Sequence, residues 1–318
     1  MSDRGGALPD LERGEVASIG DIDMTKQSKS RLLADHVDMR MVAVDTAEAI
    51  PDRNTMVRLN PDHPGFRDPD YRDRRNRIAQ IALAYRAGGA IPDAPYTPQE
   101  HGVWRAIFKV LMPAHRAHAC AEYLKAGERL ELDPDRIPQL REVSEKVSAI
   151  SGFRLEPVAG LVAPRIFLES LAQGVFLCTQ YIRHHSTPHY TPEPDVVHEI
   201  VGHGVTLASE RIAELNRLFG KAVKRTRSAE ALDRLSRVYW FTIEFGVLRE
   251  RGKLKAYGTG LLSSAGELEA MHKAELRDLD LEAVSGHEYD PTHYQPVLFC
   301  ARSFEVMYQT LRDFLARW

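Results

Sequence analysis

Residues 183–205 read RHHSTPHYTPEPDVVHEIVGHGV and hold five of the chain's thirteen histidines: His184, His185, His189, His198 and His203. Glu193, Asp195 and Glu199 lie among them. A lone histidine is usually a partly buried hydrogen-bonding group, but imidazoles and carboxylates gathered this densely form the donor set of a divalent metal site. HEIVGH carries the groups of an H-E-x-x-H zinc motif with one residue inserted, and Gly202 stands where the second histidine belongs. On an α-helix residue i+4 overlies residue i, whereas i+5 is turned by about 140°. A regular helix therefore cannot aim His198 and His203 at one ion. The spacing predicts a helix of two turns, begun near Thr191, Pro192, Glu193 and Pro194 and broken at Gly202, with His203 swinging back beside His198.

Two histidines need a further ligand. Glu199 adjoins His198 and points about 100° away, which suits it to support a ligand or a cofactor rather than to bind the ion. Glu244 stands out instead, in VYWFTIEFG among Tyr239, Trp240, Phe241 and Phe245. A carboxylate in such company must be paired, protonated or metal-bound, because a lone buried charge is too costly. Two histidines and one carboxylate with open positions are the facial triad of non-haem iron(II) oxygenases, and the aromatic lining suits an aromatic substrate. On these residues other readings stay open. Glu244 as one ordinary buried ion pair on an amphipathic helix is the bland one. A zinc hydrolase with Glu199 as general base is another, and a non-catalytic protein that binds an aromatic ligand is a third.

The scaffold that must position these groups is predicted to be mostly α with a small β component. DYRDRRNRIAQIALAYRAGG reads as an amphipathic helix stopped by glycines, and TPQEHGVWRAIFKVL opens with a capping box, Thr97 and Glu100, with Pro98 at the first helical position. Further helical patterns are PQLREVSEKVSAI, PRIFLESLAQG, ERIAELNRLFGKAV, SAEALDRLSRVYWFTIEFGVLRE and ARSFEVMYQTLRDFLARW. Strand-like pieces are short: VFLCTQYI, KLKAYGT and QPVLF. Residues 1–59 contain no aromatic and are expected to form a partly disordered arm with one short strand at MRMVAVD, leaving 60–318 as the catalytic domain. A formal net charge of -3 gives no electrostatic ground for nucleic acid or an anionic membrane as partner. No apolar run is long enough for a membrane helix, and AYGTGLLSS does not fit a dinucleotide-binding G-x-G-x-x-G. Three widely spaced cysteines, Cys120, Cys178 and Cys300, fit a reducing cytoplasmic setting.

Several blocks, in order, resemble the pterin-dependent aromatic amino acid hydroxylases: DHPGFRDPDYRDRRNRIAQIA, IPQLREVS, GFRLEPVAGLVAPRIFLESLA, TQYIRHHSTPHYTPEPDVVHEIVGH, YWFTIEFG and KAYGTGLLSSAGEL. The resemblance implies that family's catalytic-domain fold, with Fe(II) held by His198, His203 and Glu244 and with tetrahydropterin and O2 as cosubstrates. It also implies a pterin stacked on Phe167, with Gly160, Val162, Glu199 and Tyr239 around it. Arg183 matches the arginine that grips the amino acid carboxylate, with Asp195 holding it, and Thr191, Pro192, Trp240, Gly260 and Ser263 match other substrate positions. Leu161 and Trp240 look like the phenylalanine and tyrosine enzymes rather than the tryptophan enzymes. Pro291 falls where tyrosine enzymes carry an aspartate and phenylalanine enzymes usually a valine, so L-phenylalanine is the expected substrate.

Departures from the family pattern bear on where the ring is attacked. GHGVTL replaces the usual GHVPL and is expected to reshape a loop below the iron, and Leu177 stands where a polar residue often faces the pterin. With Pro291 these leave para hydroxylation as the default and meta as the alternative. The N-terminal arm does not look like the family's regulatory domain, and no tetramerising extension follows Trp318, so a monomer or weak dimer is expected.

Overall fold

Thr97 and Glu100 close the capping box that their spacing predicts: Glu100 N donates to Thr97 Oγ1 (3.2 Å) and Thr97 N to Glu100 Oε2 (2.6 Å). The computed structural model describes Val57 and residues 59–318, apart from Tyr190, Pro192 and Thr292. Nearly all of the expected arm, its strand MRMVAVD and the substrate candidate Pro192 thus lie outside the described residues. Helix α1 (Pro69–Ala84) starts on an Asp68 cap, and α2 (Pro98–His118) buries Trp104, Ile107, Phe108 and Leu111. Helices α3 (Ala121–Leu130) and α4 (Leu140–Ser151) follow, each ended by a residue in the left-handed conformation, Glu131 and Gly152. Strand β1 (Arg154–Pro157), α5 (Pro164–Leu171) and β2 (Val175–Cys178) form a β-α-β unit whose two strands pair in parallel.

Strand β2 leads through an extended segment to the histidine-rich run. The helix there begins at Val196 and does not break. From His198 to Gly204 it is a π-helix, and Val205–Leu207 (α6) continue it as α-helix. This corrects the expected break at Gly202 and the expected loop at GHGVTL. Hydrogen bonds from i to i+5 widen the turn, so His203 comes round over His198. Gly202 serves a close approach instead: a Cβ there would stand 3.0 Å from Thr259 O and 3.2 Å from Thr259 Cβ.

Helices α7 (Glu210–Arg225) and α8 (Ala229–Tyr239) come next, and a second π-helical turn, Trp240–Glu244, extends α8. The helix predicted to run on through VLRE stops there. Val247–Glu250 form β3, antiparallel to β4 (Lys253–Ala256). The chain then makes α9 (Thr259–Leu262), α10 (Ala265–Ala270), β5 (Glu275–Asp278), α11 (Leu281–Gly286), β6 (Val297–Ala301) and α12 (Phe304–Arg317). The second sheet has the order β4-β3-β6-β5, with β6 parallel to both neighbours. No helix among the described residues is long and apolar enough to cross a membrane.

The main apolar core joins α2 through α12, while Ile78 of α1 packs with Ala94 and Tyr181 in a smaller cluster, and α5 packs on α7 at Gly220. A Cβ at Gly220 would overlap the Ala172 backbone nitrogen and stand 2.8 Å from the Leu168 carbonyl. Backbone cannot yield as a flexible side chain can, so Gly220→Ala is expected to destabilise the fold by about 1–3 kcal/mol. Denaturant unfolding measures this directly. An unchanged midpoint would show that α5 slides freely on α7.

Candidate metal and substrate site

The two π-helical turns and α9 meet at three donor atoms. His203 Nε2 stands 3.1 Å from His198 Nε2 and 3.1 Å from Glu244 Oε1, and His198 Nε2 stands 3.6 Å from Glu244 Oε2. Donors held about 2.1 Å from one ion and at right angles to one another are about 3 Å apart. The set therefore fits a single divalent ion bound on one face. The tautomer agrees: Ser263 Oγ–H donates to the Gly260 carbonyl (3.2 Å), so the hydroxyl oxygen accepts from His198 Nδ1 (3.0 Å) and the lone pair is left on Nε2. Burial pulls the His198 imidazole down to about 4, which keeps it neutral at pH 7. Burial alone would raise the Glu244 carboxyl, but the imidazoles, His203 foremost, outweigh it and hold the group ionised.

Glu199 does not join this set. Its Oε1 accepts from the Thr179 backbone N (3.2 Å) and hydroxyl (3.1 Å), and burial pushes its carboxyl up to about 7. Arg183 and Asp195 form the expected pair, both buried, through Nε–Oδ2 (2.8 Å) and Nη2–Oδ1 (2.7 Å). Asp195 also accepts from Arg183 N (2.8 Å) and from His198 N (3.3 Å), so one carboxylate ties the arginine to the first turn of the helix that carries His198 and His203. Among the described residues Arg183 Nη1 makes no hydrogen bond, so that part of the fork is not used by Asp195. Thr191 Oγ1 turns inward to the Glu193 carbonyl (2.8 Å).

Helix α1 braces this segment. Arg75 lies 3.3 Å over the Tyr181 ring and pairs with Glu193 (2.9 Å), while Tyr71 donates to the Ile182 carbonyl (3.2 Å). Asp68, His184 and His185 also bring ligand atoms together. Their chemistry is that of a clamp. His184 Nδ1 accepts from Ser186 N (3.2 Å), so Nε2 carries the hydrogen and gives it to Asp68 (3.0 Å). The two imidazoles are tilted against each other, with centroids 4.2 Å apart at 35°.

Aromatic rings wall the metal set. Phe176 packs on the His203 ring at 4.3 Å, and the half-buried Phe167 meets Phe176 and Tyr239 edge-on at 5.2 and 6.0 Å. The Tyr239 hydroxyl donates to Asn216 Oδ1 (3.2 Å). Gly160, Leu161 and Val162 lie on the loop between β1 and α5, half-buried except for the exposed Leu161. Trp240 is stacked on Tyr289 (4.2 Å, 13°), tilted against Phe245 (4.6 Å), and donates from Nε1 to Gln295 Oε1 (3.2 Å). Gly260 allows that packing, since a Cβ there would stand 2.8 Å from the Phe245 ring. Pro291 is exposed, and it is Tyr289, two residues earlier, that touches Trp240. Tyr289, Gln295, Thr179 and Thr259 belong to no motif that marks them in the sequence. The signal available for Thr259 was a lone hydroxyl between the glycines of YGTG.

Known proteins share this arrangement of chain. Residues 45–318 match the biopterin-dependent aromatic amino acid hydroxylase family. The phenylalanine 3-hydroxylase of Streptomyces coeruleorubidus is 44% identical over 252 residues, 79% of this chain and 90% of that protein. The tyrosine 3-monooxygenase of Bos taurus is 44% identical over 265 residues and the phenylalanine-4-hydroxylase of Homo sapiens 43% over 264, each match taking in 81% of this chain. The chain spans only 54% and 58% of the length of those two animal enzymes. Among solved structures, Chromobacterium violaceum phenylalanine hydroxylase with bound iron(III) and 7,8-dihydrobiopterin superposes with a TM-score of 0.68 at 27% identity, over 76% of this chain and 90% of that one. The Legionella pneumophila phenylalanine hydroxylase does so with a TM-score of 0.66 at 33% identity, over 71% and 91%. With this agreement running through nearly all of the described residues, the chain belongs to the biopterin-dependent aromatic amino acid hydroxylases.

Proposed function

We propose that this hydroxylase acts on the ring of L-phenylalanine, with iron(II) held by His198, His203 and Glu244. The convergence of those three donors to within 3.1–3.6 Å of one another is the observation that carries the reading. Iron(II), once bound, together with a tetrahydropterin and O2, supplies the oxidising chemistry that ring hydroxylation needs. The protein's own part is to position and enclose. Phe167 offers the pterin a ring to stack on, with Gly160, Val162, Glu199 and Tyr239 about it. Arg183, already oriented by Asp195, presents its free edge to the substrate carboxylate, since a planar fork matches that group. Trp240, braced by Tyr289 and Gln295, stands as a wall for the aromatic ring, with Thr191, Pro192, Gly260, Ser263, Leu161 and Pro291 as the remaining substrate candidates. The catalytic domain is read as residues 60–318, working as a monomer or weak dimer in a reducing cytoplasm, where three buried free thiols are at home.

Para hydroxylation to tyrosine is the first expectation. Meta hydroxylation is the second reading, favoured by the likeness to a phenylalanine 3-hydroxylase that this chain covers almost end to end. Protein loaded anaerobically with iron(II), given tetrahydropterin, O2 and equimolar phenylalanine, tyrosine and tryptophan, should convert phenylalanine in preference. Chromatography and mass of the product distinguish para- from meta-tyrosine. Hydroxylation of tryptophan or tyrosine instead would refute the substrate assignment, and pterin oxidation with no hydroxylated product would point to an amino acid outside these three.

A further inference from the structure

Thr259 opens α9 with its side chain fully buried, and its hydroxyl lies near three polar atoms. These are Glu244 Oε2 at 2.6 Å, the Ile243 carbonyl at 3.2 Å and His203 Nε2 at 3.3 Å. A hydroxyl has one hydrogen to give. The carboxylate takes it, being both the shortest contact and the charged one, and such bonds are roughly twice as strong as neutral ones. The two Glu244 oxygens are thereby made unequal. Oε2 is engaged by Thr259, while Oε1 faces His203. Gly202 makes the contact possible, because any side chain there would press on Thr259 and lift α9 from the ligand helix.

We propose that Thr259 is a positioning residue of the iron site, its hydroxyl pinning Glu244 Oε2 and so fixing the rotation of the carboxylate toward the ion. The hydroxyl would lower the entropy that Glu244 loses on ligation, because it already holds one carboxylate oxygen in place. Residues that orient a metal ligand in this way typically account for about 10–100-fold in affinity. The inference rests on reading His198, His203 and Glu244 as the metal-holding set.

The test uses Co(II) as the probe, titrated into the metal-free full chain and followed by its visible absorption. Thr259→Val keeps the shape and removes the hydroxyl, whereas Thr259→Ser keeps the hydroxyl. The Val variant should bind Co(II) about 10–100-fold more weakly with an altered ligand-field spectrum, and the Ser variant should lie within about threefold of the wild type. Near-UV circular dichroism and thermal unfolding of the metal-free variants separate packing from positioning. A Val variant that unfolds earlier yet binds Co(II) normally would reduce Thr259 to a packing residue and overturn the proposal. A Ser variant as weak as Val would overturn it too. Failure of the wild type itself to take up Co(II) would overturn the iron-site reading along with it.

Discussion

Glu244→Ala is expected to abolish iron retention and hydroxylation while leaving the fold in place. The substitution removes the one carboxylate among the described residues that stands within 3.1–3.6 Å of both imidazoles. It also takes away the negative charge that offsets a divalent cation in a buried site, so the two imidazoles would be left to hold it alone. Affinity for iron(II) should fall by at least about 10³-fold, which corresponds to roughly 4 kcal/mol. The fold should survive because Glu244 closes a helical turn whose neighbours Phe241, Thr242 and Ile243 are buried independently of it. Metal analysis after desalting and far-UV circular dichroism read the two halves of this expectation. Retained iron and turnover would mean that a different carboxylate serves the site.

Arg183→Ala should produce two large effects at once. Asp195 is completely buried, and Arg183 supplies two of its contacts through the guanidinium. Burial opposes the Asp195 charge, but the arginine and the backbone donors hold its carboxyl below the ordinary range. Removing the arginine leaves that charge unpaired, which costs about 3–5 kcal/mol and should lower Tm by about 10 °C. The same change takes away the fork for the substrate carboxylate, worth about 1.5–3 kcal/mol, so KM for phenylalanine should rise roughly 10–100-fold with a smaller change in kcat. Arg183→Lys separates the two effects. It restores a positive charge beside Asp195 and recovers part of the stability, yet KM should stay high because an ammonium lacks the planar fork. A folded Arg183→Lys protein with unaltered KM would show that the carboxylate is held elsewhere.

The candidate metal-holding set could be read from residue types because its chemistry is demanding. A carboxylate set among Tyr239, Trp240, Phe241 and Phe245 has few permissible fates, and His198 and His203 offered the partner it required. Helix starts were equally legible where the cap is local, as at Thr97 and Glu100, whose reciprocal bonds span three residues. The aromatic wall was half visible. Phe167 and Trp240 could be named, but the stacking of Tyr289 on Trp240 joins residues 49 positions apart in a turn with no regular pattern of its own.

What local pattern could not supply was the route by which His198, His203 and Glu244 converge. An α-helix was the default between His198 and His203, and since it puts them on different faces, a break at Gly202 was the available remedy. The chain instead widens into a π-helix, accepting a less common hydrogen-bond pattern because α9 packs against Gly202 and fastens Glu244 through Thr259. Val247–Glu250 likewise has the composition of a continuing helix and becomes a strand because β4 and β6 stand beside it. Capping and the cost of a buried charge act through residues a few positions apart or through a single side chain. A widened helical turn and a parallel strand are stabilised by partners dozens of residues away, and their preference exists only once those partners are in contact.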